Sequence, residues 1–384
     1  MTTKRIKKSR HVLMLIGLLV IAVGCRVKYA ESYQGREIQI YTKGEVASIP
    51  RTYQVTIGAI GDILIHDRVY DDARIDNGFN FIPMVENVYS YLQEPDILTA
   101  NQETMIGGEA FGLSGYPSFN SPHEVGDLLA YLNVDLVNLA NNHTLDRGEA
   151  VIYAALNYWD ELNIDYIGSY RSEEDRQQIR VIEKNTIKVA FLGYSYGTNG
   201  IRIPEGKEYL INLIDRQQIT EDIRRAKEVS DAIVMHLHFG EEYVRMPNEA
   251  QRDLVQYLSN QGVDIIIGHH PHVLQPVEWI IGEGGQRTFV SYSLGNFLSG
   301  QDQLYRQIGG MVEITIEKTG SELTLKNPKF LPTYVELNHT VPHNYKMQPL
   351  YKVTESQLPD VKRHYHNIKD HMAQWVPHLE FIAD

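Results

Sequence analysis

Val263-Asp264-Ile265-Ile266-Ile267-Gly268-His269-His270-Pro271-His272 is an apolar run that a glycine breaks and that empties into a loop of three histidines and a proline. A short β-branched run ending on glycine predicts a buried strand followed by a turn. In an open α/β sheet ligands bind where strands end, so chemistry is expected in this loop. Neutral imidazole is a common ligand for zinc, iron and similar metals, and two at i and i+2 can converge on one ion if the chain bends sharply. Pro271, between His270 and His272, helps fix such a bend. Taken alone, a polar surface loop with hydrogen-bonded histidines is the alternative.

Outward from this strand, apolar runs alternate with amphipathic segments. Strands are expected at Val55–Ile60, Asp96–Ala100, Leu136–Ala140, Tyr166–Ile167, Ile187–Gly193 and Ala232–Leu237. Helices are expected around Pro83–Leu92, Ser121–Leu132, Gly148–Leu162, Thr220–Val229 and Asn248–Asn260. This alternation predicts an α/β fold, layered and with a largely buried sheet. Beyond Gly295, Gly309–Ile316 and Glu322–Phe330 alternate about a Lys-Thr-Gly turn and predict a C-terminal β-hairpin. The expected organisation is a core domain over 53–338 and a C-terminal tail or docked helix over 339–384, with an amphipathic stretch at Leu358–Trp375.

The first residues read differently. Lys4, Arg5, Lys7, Lys8 and Arg10 precede the apolar run Val12–Val23, a positive region and a hydrophobic region too short for a comfortable membrane span. Residues 1–25 therefore predict an export signal, with 26–52 as a polar tether holding a short strand at Glu37–Tyr41. The single cysteine follows at once, in Ala22-Val23-Gly24-Cys25, and resembles a lipoprotein cleavage box with Cys25 as the lipidation site; an uncleaved signal anchor is the alternative. Either places the chain on the extracytoplasmic face of the cell membrane. One thiol cannot form an intramolecular disulfide, so the exported domain must be stable on its core alone. The 36 Lys and Arg against 49 Asp and Glu, a formal charge of −13, argue against nucleic acid as a partner. A local basic pocket remains compatible with that acidity, because steering depends on how charge is distributed.

Other strand ends complement the histidine loop. The first core strand ends on Gly61-Asp62, another on Asn101-Gln102-Glu103, a third on Asn141-Asn142-His143 with Asp146, and a fourth on His236-Leu237-His238-Phe239-Gly240-Glu241-Glu242. Singly, Asp62 reads as a turn or cap residue, Glu103 as a solvated carboxylate, the asparagines as turn formers and His236 as a core histidine. Jointly they supply carboxylate, amide and imidazole groups, a set that suits one or two divalent transition metals and an activated water.

These motifs, with Gly268-His269-His270-Pro271-His272-Val273-Leu274-Gln275 and Tyr292-Ser293-Leu294-Gly295-Asn296-Phe297, resemble the CapA family of poly-gamma-glutamate capsule biosynthesis proteins over roughly residues 54–300. That family looks like a branch of the calcineurin-like metallophosphoesterases, which implies a metallophosphoesterase-like layered sandwich of β-sheets flanked by helices. The resemblance implies Asp62, Glu103, Asn142, His238, His270 and His272 as ligands of Mn, Fe or Zn, and His143 as the group that protonates a leaving group. It also departs: the usual Asp-x-His is Asp62-Ile63-Leu64, with His66 as a possible substitute, and the usual His-Trp-Gly is His238-Phe239-Gly240. Two functions are expected. One is a membrane-tethered component of capsule polymer biosynthesis or export, meeting an anionic polymer and other capsule-synthesis membrane proteins. The other is a metal-dependent hydrolase of a phosphoester or related small anionic substrate, with Arg245 or Arg147 to bind an anionic group. A metal-free binding module is a third, for which three converging imidazoles gain little.

Overall fold

Strands form here where β-branched runs can be covered on both faces, which requires two sheets and outer helices. The structure is a computed structural model that describes residues 51–383. The expected export signal, Cys25, the strand at Glu37–Tyr41 and nearly all of the tether lie outside the described residues. In chain order the strands are β1 (Thr52–Leu64), β2 (Arg74–Ile75), β3 (Gly78–Phe79), β4 (Ile97–Gln102), β5 (Leu136–Asn138), β6 (Asp165–Ile167), β7 (Arg180–Lys184), β8 (Ile187–Ser195) and β9 (Ala232–His238). There follow β10 (Ile265–His269), β11 (Leu274–Ile281), β12 (Arg287–Leu294), β13 (Asn296–Ser299), β14 (Ile308–Thr319), β15 (Glu322–Glu336), β16 (Lys346–Pro349) and β17 (Glu380–Phe381).

They make a nine-stranded sheet in the order β16-β15-β14-β1-β4-β5-β6, with β13 on β1 and β17 on β15, and a six-stranded sheet in the order β11-β12-β10-β9-β8-β7. The strands β1, β4, β5 and β6 run parallel in the first, and β8, β9, β10 and β12 in the second. Between the sheets lies a core that joins Val55, Ile57, Ile97 and Leu136 to Val189, Phe191, Val234, Ile265, Ile267 and Phe289. Outside the first sheet, Val125, Leu128, Ile152, Leu156 and Trp159 of helices Glu124–Tyr131 and Glu149–Leu162 cover it. Outside the second, Ile219, Ile223, Leu254 and Leu258 of helices Arg216–Val229 and Glu249–Asn260 do the same. The layered α/β sandwich and the C-terminal hairpin, β14 with β15, are as expected. The helix Glu249–Asn260 opens on a capping box between Asn248 and Gln251, worth about 1 kcal/mol, and delivers the chain to β10.

One local expectation changes, and some strands add to the expected set. The expected helix at Pro83–Leu92 is two single turns, Ile82–Val85 and Tyr89–Leu92, because Met84, Val85, Val88 and Leu92 are each buried against the core and neither turn has a side-chain N-cap. The strands β11 and β12, read only as motif residues, form an antiparallel pair with β11 at the sheet edge, where Pro276 costs no ladder hydrogen bond. The edge strand β7 is only half-buried, so its pattern is weak. Residues 339–383 belong to the same compact unit as the core, and helix Val361–Ala373 buries Ile368 and Met372 in the inter-sheet cluster. Among the described residues no helix is long and apolar enough to cross a membrane.

Candidate metal centre

The C-terminal ends of the parallel strands β1, β4 and β5 of one sheet and β9 and β10 of the other lie together, and the expected residues meet there. Backbone bonds knit the loops: Asp62 N donates to Gly295 O (2.8 Å), Glu103 N to Ile63 O (3.1 Å), Phe239 N to His269 O (3.1 Å) and Tyr243 N to Pro271 O (2.7 Å). Two close approaches demand glycine. A Cβ on Gly61 would lie 2.0 Å from Gly295 O, and one on Gly268 would lie 2.0 Å from Tyr292 O. The bend at Pro271 is sharper than the sequence implied, with positive φ at His270 (98°) and His272 (57°). Such conformations cost of order 1–3 kcal/mol each and persist where the surroundings fix them, often at functional sites.

Potential ligand atoms gather in three groups, each with all its atoms within 4.8 Å of one another: Glu103 with His238 and His270; Asp62 with Glu103 and His272; and Glu242 with His270 and His272. All but the exposed Glu242 are buried. His272 Nδ1 lies 3.0 Å from Asp62 Oδ2, and His238 Nε2 lies 2.7 Å from Asn142 Oδ1 and 3.5 Å from Glu103 Oε1. Asn101 Nδ2 donates to Asp62 Oδ1 (2.8 Å), while Asn101 Oδ1 accepts from Asn138 Nδ2 (2.8 Å), so a chain of amides orients the carboxylate.

The donor set fits a cation. Both carboxylate oxygens of Glu103, and Nδ1 of His270, are buried with no hydrogen-bond partner. Leaving a buried charged acceptor unsatisfied costs several kcal/mol, so such groups are normally paired or hold a metal. The titration behaviour agrees. Burial pushes Glu103 well above the usual carboxylate range despite the attraction of His272. Burial would also raise Asp62, but hydrogen bonds and charge from His269 and His272 overcome it and hold the group ionised, well below that range. Burial lowers His238 strongly and His270 to about 3, which keeps both imidazoles neutral and ligand-competent. For His272 burial is outweighed by Glu103 and Asp62, and it rises to about 9.

His143 stands at the same end, half-sandwiched rather than free: its Nδ1 lies 2.8 Å from Asp146 Oδ2, and the ring packs edge-on against Phe119 with centroids 4.7 Å apart. Asp146 Oδ2 also accepts from Phe119 N (2.8 Å), so the dyad is held on both sides and Nε2 of His143 is the ring nitrogen left for a proton transfer. Sequence reasoning quoted Asp146 and Glu242 without giving either a role; the i, i+3 spacing from His143 was the available signal for the first. His66 is not in the cluster. Its Nδ1 bonds Leu64 O (3.0 Å), and burial lowers it to about 4. His236 is a core residue paired with His269 (Nδ1 to Nε2, 3.0 Å). Arg147 donates to Gly112 O and Phe111 O.

Comparison with known proteins bears on this constellation. The PGA biosynthesis protein CapA of Bacillus subtilis is 29% identical over 238 residues, 59% of this chain and 57% of that protein. The capsule biosynthesis protein CapA of Bacillus anthracis is 25% identical over 280 residues, 70% of this chain and 66% of that one. The matches thus span less than two thirds of either relative. Among solved structures, a novel phosphatase from Mycoplasma pneumoniae aligns with a TM-score of 0.45 at 12% identity, over 73% of this chain and 94% of that one. A hypothetical protein from Thermus thermophilus aligns with a TM-score of 0.43 at 15% identity, over 72% and 99%. At these scores neither informs the chemistry of the site. The model of the bacterial capsule synthesis protein PGA_cap matches residues 56–301, from β1 to just past β13 and so across every strand end described above, and the chain belongs to that family.

Proposed function

We propose that this chain acts in the synthesis or export of an anionic capsule polymer of the poly-gamma-glutamate type, and that its strand-end cluster is a metal-dependent centre working on an anionic bond in that pathway. The family membership supports the first part. The observation that carries the second is Glu103: a wholly buried carboxylate, both oxygens unpartnered, facing three imidazoles and Asp62. Asp62, Glu103, His238, His270 and His272, with the amide oxygen of Asn142 and the exposed Glu242, would hold one or two divalent cations, Mn, Fe or Zn. A cation so held supplies charge neutralisation and Lewis-acid polarisation to an anionic substrate. Asn101 orients Asp62, and Asp146 fixes His143 so that its Nε2 faces outward to give a proton to a leaving group. The basic and apolar stretch before Cys25 supports attachment to the outer face of the membrane, through lipidated Cys25 or an uncleaved anchor.

An assembly role without turnover is the second reading, and Leu64 favours it: the position where a histidine ligand is usual holds a buried apolar side chain. The two readings separate in one experiment. The full-length protein and its Asp62→Ala variant are assayed against a phosphoester panel and a gamma-linked glutamate polymer, and the same variant is tested for polymer production in cells. Turnover abolished by the substitution supports catalysis. Loss of polymer with no turnover by the unsubstituted protein overturns it in favour of assembly.

A further inference from the structure

A protein with a formal charge of −13 that meets a polyanion needs positive charge at the point of contact. Two arginines supply it beside the metal-ligand cluster. Arg245 and Arg306 line a cavity of about 280 Å³ together with Tyr243, Val273, Gln303 and Tyr305. Among the described residues neither arginine has a carboxylate within ion-pair distance, whereas nine of the other fourteen described arginines do. Arg245 Nε and Nη2 are buried with no hydrogen-bond partner. An arginine fork left unsatisfied in a half-buried setting is costly, and it matches the two oxygens of a carboxylate or phosphate.

Both guanidinium groups are held in place. Arg245 lies 4.1 Å over the ring of Tyr305, and Arg306 lies 3.4 Å over the ring of Tyr243. Stacking on an aromatic face fixes the plane of the fork and leaves its edges for a ligand. The pocket is mechanically continuous with the cluster. Val273 directly follows His272, and the rings of Tyr243 and His272 have centroids 6.1 Å apart. Asn296 bridges the two, with Oδ1 3.1 Å from His272 Nδ1 and Nδ2 donating to Arg306 O (2.9 Å). The C-terminal helix packs on residues next to the lining: His371 Nε2 lies 3.0 Å from the carbonyl of Leu274, which follows Val273, and Gln374 Nε2 lies 3.6 Å from Sδ of Met246, which follows Arg245. The cavity is too small for a whole polymer unit with its neighbours, and suits a single anionic group and its first carbons.

We propose that the pocket between Arg245 and Arg306 is a subsite for a second anionic group, a carboxylate or a phosphate, of the substrate whose reacting bond lies at the cluster. The site thereby selects molecules with negative charge on both sides of the contact, and discriminates against a simple monoester. The proposal rests on the cluster being the reactive centre, but its binding half can be read without any metal. Chelator-stripped, desalted full-length protein is titrated by calorimetry with gamma-linked triglutamate and, separately, with tripolyphosphate. The same is done with Arg245→Gln and Arg306→Gln, each checked for unchanged thermal melting and unchanged metal uptake. At least one probe should bind, weaken tenfold or more in each variant, and weaken as salt is raised; the probe that does so identifies the anion. Unchanged affinity in both variants, or no binding of either probe by the unsubstituted protein, would overturn the subsite. Failure of metal uptake with subsite binding intact would instead count against the metal centre alone.

Discussion

The two ends of the parallel strands carry similar residues and do opposite things with them. At the N-terminal ends, carboxylates are spent on the backbone. Asp96 accepts from Thr56 N (2.9 Å), Asp135 from Leu98 N (2.8 Å), Asp231 from Lys188 N (2.9 Å) and Asp264 from Ile233 N (2.8 Å). At the C-terminal ends, Asp62 and Glu103 face imidazoles, and Glu103 has no hydrogen-bond partner for either carboxylate oxygen. The N-terminal end also has the roomier cavity, about 630 Å³, lined by Asp96, Asp135, Asp165 and Lys184. Its carboxylates that cap strands are satisfied, so space and acidity there do not make a site. What marks the C-terminal end as the proposed site is unsatisfied chemistry under full burial.

Substitutions can break or sharpen that contrast. The largest effect on rate is expected from His143→Ala, which should lower turnover by about 10²–10⁴-fold while leaving metal content intact, as for loss of a general acid. Asp146→Asn should act in the same direction and less strongly, by about 10–100-fold, because the ring stays but its tautomer and orientation are no longer fixed. A steady-state assay with elemental analysis of each variant checks both.

A pH series is expected to give a smaller, graded effect. His272 is raised to about 9 by Glu103 and Asp62, so in the metal-free protein its pairing stabilises the fold fully below about pH 6.5 and is lost as pH rises through about 9. An entering cation must displace that proton. Metal affinity should therefore tighten by about tenfold per pH unit between about pH 6 and about pH 8, for each proton displaced. A competition titration against a chromogenic chelator reads this directly; an affinity flat across that range would mean His272 is not a ligand. The smallest functional effect belongs to the other end. Asp135→Ala should cost about 1–3 kcal/mol of stability by stranding Leu98 N, with metal content and rate unchanged. A denaturant melt compared with elemental analysis would show whether the two ends are as separable as the contrast requires.

Much of this site is legible in the sequence because its residues sit at fixed places in a periodic pattern. Each loop that carries a proposed ligand follows an apolar run, so the ends of β1, β4, β5, β9 and β10 can be picked out as a set from the order of residues alone. What that order does not reveal is which donors share a cavity. Glu242 looks like one more acidic loop residue, and only the bend at His270 and His272 brings it to them. His269 and His236, indistinguishable by type from the proposed ligands, pair with each other, and His269 also lies beside Asp62, its Nδ1 3.6 Å from Oδ1. The strand β11 is hidden by Pro276, and the cavity between Arg245 and Arg306 joins loops about sixty residues apart that no local period connects.

The most direct test of the account is elemental analysis of the purified protein by inductively coupled plasma mass spectrometry, beside Asp62→Ala and His270→Ala. Near-stoichiometric Mn, Fe or Zn that disappears in both folded variants is the predicted result. No bound metal after incubation with each of these ions, or metal retained by both variants, would contradict it.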